Sequence, residues 1–421
     1  MSTSYQLVNR ARFGQAGSSI GSETGDSVSQ DNSTEESPDV GFRLERNTAA
    51  EGIGLVPGRP ARSDRSAEQD RLIQQVTDEL LAQLPDGWDR LDVAVAMTVS
   101  DETAQVIVSD SKRAAPARLS MRMVELLREL RHRSAESADG PWWRFLAIAT
   151  RAGSTQIEYD YGAEPFPDQQ LFPPQAYLAD LRTYPRKRLP MWLAAYVGHG
   201  GRQTRTPGIA AHAEAGDGPF TPRVETDLPA LPLLWARWAV IAAAFVAADS
   251  PLGPRTTTAL GWFEGSTRSG STLHLLPHGR AVLSGGLWSD LRLDATYNDG
   301  ATMPQLYRGA PDWVADPVLN PRAANGLLSF CYWWDGEAWL CGESPVTAEL
   351  SPALPGIWSS DTVFDVLAQL IEGSSSSWIT ALVAAAETGS VTRALLARSL
   401  AGDKFDLDAG YYQLMLAGIA K

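Results

Sequence analysis

The chain has 421 residues, of which 44% are hydrophobic and 20% are charged, and it contains 36 glycines, 27 prolines and 14 tryptophans. This composition excludes the collagen-like, disulfide-framework and wholly disordered classes, and the length indicates two folded domains. The 36 basic and 50 acidic residues give a net charge of −14. Such a charge argues against nucleic-acid or anionic-membrane binding and is compatible with a basic protein partner.

Residues 1–65 are rich in Ser, Gly, Asp, Glu and Thr and show no sustained apolar period. We expect a disordered segment, because so little apolar surface cannot offset the entropy of ordering; a mis-assigned start codon would explain the segment equally well. The start lacks the apolar stretch and cleavage site of a secretory signal, so the expected location is the cytoplasm. Few lysines beside many arginines, alanines and glycines resemble proteins of high-GC bacteria such as actinobacteria.

Residues 66–197 predict an α+β domain with the element order αββαββ and antiparallel hairpins. A helix capped at Ser66, a hairpin turning at Ser100-Asp101, a helix over 118–134 and a hairpin turning at Ala152-Gly153 follow in that order. Val93, Val95, Met97 and Val99 are expected on one strand face, and the arginines at 122, 128, 131 and 133 away from the helix core. Short helices broken by proline continue over 166–196.

The composition of residues 198–227 predicts a linker, and residues 228–421 predict a second, Trp-rich α+β domain. It begins with the apolar segment 228–249, which is long enough to cross a membrane. The charge of Arg237 and the nearby prolines favour instead a buried core helix that begins near Pro232. Strand-like segments follow, and several short helices end the domain.

The two cysteines, Cys331 and Cys341, flank a hairpin signal at Asp335-Gly336. A two-residue loop would place them on opposite faces of the hairpin, and a three-residue loop would place them opposite each other. We expect free, buried thiols, because the expected compartment is reducing.

No motif for catalysis, a cofactor or a metal stands out. The chain has five histidines, and His274 and His278 form the closest pair, without Cys, Asp or Glu at ligand spacing. The glycine-rich segments 52–58 and 265–271 lack the strand and helix context of a phosphate-binding loop. We therefore expect no catalytic, cofactor-binding or metal-binding residues, although a site assembled only in the fold stays an alternative.

The strand over 155–161 alternates between an apolar and an acidic face. Ile157, Tyr159 and Tyr161 share one face, and Gln156, Glu158 and Asp160 share the other. An acidic row with adjacent tyrosines is suited to a basic partner, and an ordinary half-buried strand has the same pattern. The candidate partner-binding residues here are Glu158, Asp160, Tyr161, Glu164 and Asp168.

Three tryptophans near one turn, Trp333, Trp334 and Trp339, are further candidates for partner binding. Because neighbouring strand residues alternate, Trp333 and Trp334 face opposite ways. An exposed ring would indicate a binding patch, whereas cover on both faces of the hairpin would account for the tryptophans by burial.

Residues 70–161 resemble the YezG-like immunity (antitoxin) family of bacterial polymorphic toxin systems. Trp88 after the first helix, Pro141-Trp142 at the second hairpin and Tyr159-Asp160-Tyr161 at its end carry the resemblance. It implies a cytoplasmic protein that binds and neutralises a cognate secreted toxin by occlusion, without catalysis or a cofactor. The second domain departs from the pattern, because such proteins usually have one domain.

The leading hypothesis is therefore an immunity protein whose partner is the cognate toxin. A chaperone or other interaction protein for an exported substrate, with the Trp-rich domain as its platform, is the first alternative. The second is an enzyme whose pocket joins several of Asp290, Asp294, His274 and His278.

Overall fold

A computed structural model describes residues 67–135, 140–205, 220–371, 375–400, 402 and 404–421. The disorder prediction for residues 1–65 lies outside this range. The described chain divides into two units, which are residues 67–202 with Leu291–Met303, and Gln203–Asp290 with Pro304–Lys421. Each contains helices and antiparallel strands, which confirms the α+β prediction.

The first unit follows the predicted αββαββ order with one additional short strand. Its elements up to residue 202 are α1 (Ala67–Ala82), β1 (Arg90–Met97), β2 (Glu102–Ser109), β3 (Ala114–Pro116), α2 (Met121–Ser134), β4 (Arg144–Thr150), β5 (Thr155–Asp160), α3 (Pro174–Thr183) and α4 (Met191–Gly198). The described strands form an antiparallel sheet in the order β3-β2-β1-β4-β5.

Apolar spacing places α1 and α2 on one face of this sheet. Val76 and Leu80 of α1, together with Met123 and Leu127 of α2, are fully buried among the inward residues of β1 and β4. Ser120 caps α2, since its hydroxyl accepts a hydrogen bond from the backbone N–H of Met123. These helices therefore cover the apolar face of the sheet and bury it.

Two expectations for this unit are wrong in detail. Val99 lies beyond β1 in the loop between β1 and β2 and is exposed, because the register pairs Met97 with Glu102 and leaves four residues in the loop. Arg131 is buried, with 5% of its surface exposed, whereas the sequence placed it away from the helix core. Its ion pair with Asp180 explains how the charge is accommodated.

Residues at both ends of the predicted linker 198–227 are part of folded structure. Residues 206–219 of the linker lie outside the described range. Gln203 is buried, and its side-chain amide exchanges two hydrogen bonds with the backbone of Leu328, at 2.8 and 2.9 Å. Arg223–Glu225 form a strand, β6, that pairs with a later strand of the second unit. Polar and glycine-rich composition alone did not reveal these long-range partners.

The second unit begins after β6 with the apolar helix α5 (Leu231–Ala247), which starts beside Pro232 as predicted. The strands that follow are β7 (Arg255–Thr256), β8 (Leu260–Glu264), β9 (Gly270–Leu276) and β10 (Arg280–Gly286). The next helix, α6 (Leu291–Asn298), belongs to the first unit. The remaining elements are β11 (Phe330–Trp334), β12 (Trp339–Cys341), α7 (Ser360–Leu370), α8 (Ser376–Glu387), α9 (Arg393–Ser399) and α10 (Leu407–Leu416).

The second sheet is covered on both faces. Its order is β6-β12-β11-β10-β9-β8-β7, and α5 with α7 to α10 contributes to the core on one face. Buried residues of the irregular segment between Leu306 and Leu328 pack on the other face. Arg237 of α5 lies 2.7 Å from a carboxylate oxygen of Glu387, so this charge is paired within the core. No helix among the described residues has the length and apolar character needed to cross a membrane.

The three tryptophans of the β11–β12 hairpin are buried on the two faces of the second sheet. Trp334 pairs with Trp339, so four residues form the loop, instead of the two or three considered from the sequence. Trp333 packs on one face of the sheet, and Trp334 and Trp339 pack on the other. All three rings are at most 9% exposed, which corrects their assignment as candidate partner-binding residues.

The same register separates the two cysteines. Cys341 lies opposite Tyr332, so Cys331 faces the other side of the sheet. Both thiols are free and buried, as predicted, and burial raises the pKa of each.

Candidate functional site

The acidic strand forms the end of the first sheet. Among the described strands, β5 pairs with β4 alone. Ile157 and Tyr159 pack against the helix-covered core, and Tyr161 does the same just beyond the strand. Gln156, Glu158 and Asp160 consequently face away from α1 and α2, as the alternation predicted.

Asp160 has a structural role at the end of this strand. One carboxylate oxygen accepts a hydrogen bond from the backbone N–H of Gly162 at 2.8 Å, and the other lies 2.8 Å from the guanidinium of Arg144. Arg144 also donates to the side-chain oxygen of Gln170 at 2.6 Å. Asp160 is therefore committed to internal contacts, while Gln156 is exposed and Glu158 is half-buried.

The segment after β5 adds two exposed carboxylates, Glu164 and Asp168. It folds back onto the acidic face, where buried Gln170 donates to the side chain of Gln105 on β2 at 3.0 Å. The acidic edge, defined as Gln156, Glu158, Asp160, Glu164 and Asp168, thus contains four carboxylates, and that of Asp160 is paired with Arg144.

A depression of about 510 Å³ lies at the end of the sheet where β1 meets β2. The residues that line it are Met97, Thr98, Val99, Ser100, Asp101, Glu102, Arg128, Arg131, His132 and Tyr184. Arg128 donates to Glu102 at 2.9 Å, and a ring nitrogen of His132 lies 3.1 Å from the hydroxyl of Tyr184, so basic and acidic side chains line the depression together. Because positive and negative side chains are mixed, the depression has no electrostatic potential of a single sign that would attract a charged ligand.

One of the lining residues, Arg131, belongs to a buried ion pair. The guanidinium of Arg131 donates to Asp180 at 2.9 Å, and these two side chains are 6% and 0% exposed. Asp180 also accepts from the backbone N–H of Val99 at 2.9 Å, and Arg131 donates to the carbonyl of Trp142 at 2.9 Å. The pair therefore ties α2, α3, the β1–β2 loop and the start of β4 together.

The sequence analysis did not predict the ion pair between Arg131 and Asp180. Asp180 stands in a short helix whose other buried residues include Tyr177, and no local pattern distinguishes it from a surface carboxylate. The only available signal was a periodic one, because Arg131 follows Leu127 by four positions and so falls on the same helix face.

The residues named for an enzyme pocket lie in different surroundings. Asp294 in the first unit accepts from Arg188 and from the side chain of Asn298. His274 lies in β9 of the second unit, where burial lowers its pKa to about 4. Within the described part of the chain, no three His, Cys, Asp or Glu side chains are grouped as a metal site would require.

Comparison with models of known protein families finds no match for this chain. Comparison with curated proteins likewise finds no relative.

Proposed function

We propose that this chain is a cytoplasmic immunity protein that binds a cognate toxin and neutralises it by occlusion, without catalysis. The observation that carries the proposal is the acidic edge, which places carboxylates along the end strand of the sheet and the segment after it. A toxin with a basic surface would be attracted to this edge and oriented by it.

Two further observations support this function. Residues 70–161, whose sequence resembles the YezG-like family, include Glu158 and Asp160 of the acidic edge. The net charge of −14 also favours a basic partner over nucleic acid. The chaperone alternative loses its proposed platform, because Trp333, Trp334 and Trp339 are buried.

The function is tested by expressing a toxin encoded beside this gene, alone and together with the full chain. We expect the toxin alone to arrest growth, and co-expression to restore growth and yield a complex that co-purifies. Failure of both rescue and co-purification would overturn the proposal. Co-purification of an exported protein that does not arrest growth would favour a chaperone instead.

A further inference from the structure

The depression at the end of β1 and β2 contains a buried side chain that is not fully hydrogen-bonded. Arg131 lines the depression with only 6% of its side chain exposed. Its Nε atom donates to the carbonyl of Trp142 and its Nη2 atom donates to Asp180, both at 2.9 Å. Its Nη1 atom has no hydrogen-bond partner in the described part of the chain. A ligand oxygen that accepts from Nη1 is therefore favoured, because an unpaired donor on a buried group is costly.

The ion pair with Asp180 determines which acceptor suits this Nη1 atom. The guanidinium of Arg131 and the carboxylate of Asp180, which lie 2.9 Å apart, together carry no net charge. A ligand carboxylate would gain little attraction from this neutral pair and would be repelled by Asp180. An uncharged carbonyl oxygen can accept the same hydrogen bond without that repulsion, so Nη1 is suited to a carbonyl oxygen.

A second lining residue, Asp101, offers a negative charge. Its exposed carboxylate accepts a hydrogen bond from the hydroxyl of Ser100 at 2.6 Å, and it forms no ion pair with a cationic side chain of the described residues. The neighbouring carboxylate of Glu102 is already paired, because Arg128 donates to it at 2.6 and 2.9 Å. Asp101 can therefore attract a cationic group of a ligand, such as an ammonium.

The carboxylate of Asp180 fixes the β1–β2 loop relative to Arg131. One of its oxygens accepts from Arg131, and the other accepts at 2.9 Å from the backbone N–H of Val99, two positions before Asp101. The N–H of Thr98 donates to the carbonyl of Asp101 at 2.8 Å, which closes the loop. The donor of Arg131 and the carboxylate of Asp101 are thus held in place before any ligand binds, which lowers the cost of binding.

We propose that this depression binds the N-terminus of a peptide. The α-ammonium group would pair with Asp101, and the first carbonyl oxygen would accept from Nη1 of Arg131. Val99, which is 44% exposed, supplies apolar surface for the first side chain of the peptide. Because none of these residues belongs to the acidic edge, this inference does not depend on the proposed function.

Isothermal titration calorimetry of the full chain with leucinamide tests the site. A pH of about 6.5 keeps the ammonium protonated, since the pKa of an α-amino group is about 7.7–8.0. We expect saturable binding with a Kd on the order of 1 mM, as is typical of a ligand with few atoms. N-acetyl-leucinamide lacks the charge and 3-methylbutylamine lacks the carbonyl, so each should bind at least about tenfold more weakly.

A matched pair of variants tests the role of Asp101. Asp101→Asn removes the exposed charge and should weaken leucinamide binding at least about tenfold. Asp86→Asn is the control, because Asp86 is exposed in the turn before β1, at the opposite end of that strand. This variant should bind leucinamide within about twofold of wild type.

Four results would overturn the proposal. The first is the absence of saturable leucinamide binding up to about 20 mM, well above the expected Kd. The second is equal binding of leucinamide and N-acetyl-leucinamide, or of leucinamide by wild type and Asp101→Asn. The third is equal binding of 3-methylbutylamine, which would exclude Arg131 as the donor. The fourth is tighter binding of leucine than of leucinamide, which would assign the site to free amino acids.

Discussion

Single side chains in the first unit carry long-range connections that no neighbour in the sequence indicates. Asp180 is the clearest case, since one carboxylate accepts from Arg131 and from the backbone of Val99 and is fully buried. A buried pair of this kind costs more to break than it contributes when intact, because removing one member leaves the other charge buried and unpaired. The position of the β1–β2 loop therefore depends on this one carboxylate.

We expect Asp180→Ala to lower the free energy of unfolding by about 3–5 kcal/mol, because it leaves the Arg131 guanidinium without its carboxylate. Chemical denaturation of the full chain measures this loss. The double variant Arg131→Met, Asp180→Leu should recover part of it, since no buried charge then remains. A loss below about 1 kcal/mol for Asp180→Ala would show that the ion pair contributes little to holding α2, α3 and the β1–β2 loop together.

At the scale of elements, the first unit is completed by a helix from much later in the chain. Arg188 and Asp294 of α6 are 106 positions apart, and the Nε atom of Arg188 donates a hydrogen bond to Asp294 at 3.1 Å. Arg188 also donates to Asp299 at 2.9 Å, and Asn298 exchanges two hydrogen bonds of 3.0 Å with the backbone of Leu189. The first unit is thus discontinuous in sequence, and residues 66–197 do not contain all of it.

We expect Arg188→Met to loosen α6, because it removes both ion pairs while retaining most of the aliphatic side chain. The exchange rates of amides in Leu291–Asn298 should rise, and the free energy of unfolding should fall slightly, because ion pairs at an exposed site are screened by solvent. Arg182→Met is the matched control, since Arg182 is exposed on α3 and should change neither quantity. Equal effects of the two variants would contradict the contribution of α6.

Local periodicity explains which elements could be predicted from the sequence. The alternation of Ile157 and Tyr159 with Gln156 and Glu158 assigned both faces of β5, and Pro232 marked the start of α5. Burial of Arg131, the place of α6 in the first unit and the pairing of β6 depend instead on residues far apart in the chain. The periodicity of apolar residues within one segment does not indicate contacts with distant segments, so these features could be recognised only from the fold.

Two features of the whole chain, its excess of acidic residues and its many tryptophans, have different structural causes. The tryptophans of β11 and β12 fill the core on both faces of the second sheet, so burial accounts for them. Part of the negative charge lies along the acidic edge of the first unit, where the proposed function places a basic partner. Within the edge, Asp160 is not used for the test, because its contacts with Arg144 and Gly162 support the fold.

The proposed binding of a toxin at the acidic edge is tested by the rate at which the chain associates with a toxin encoded beside its gene, measured at several salt concentrations. We expect the double variant Glu158→Lys, Glu164→Lys to associate at least about tenfold more slowly than wild type at low salt, with a weaker salt dependence. Glu125→Lys reverses an exposed charge on α2, away from the acidic edge, and should associate within about twofold of wild type. If the double variant and the control associate at the same rate, the acidic edge of β5 is not where the toxin binds.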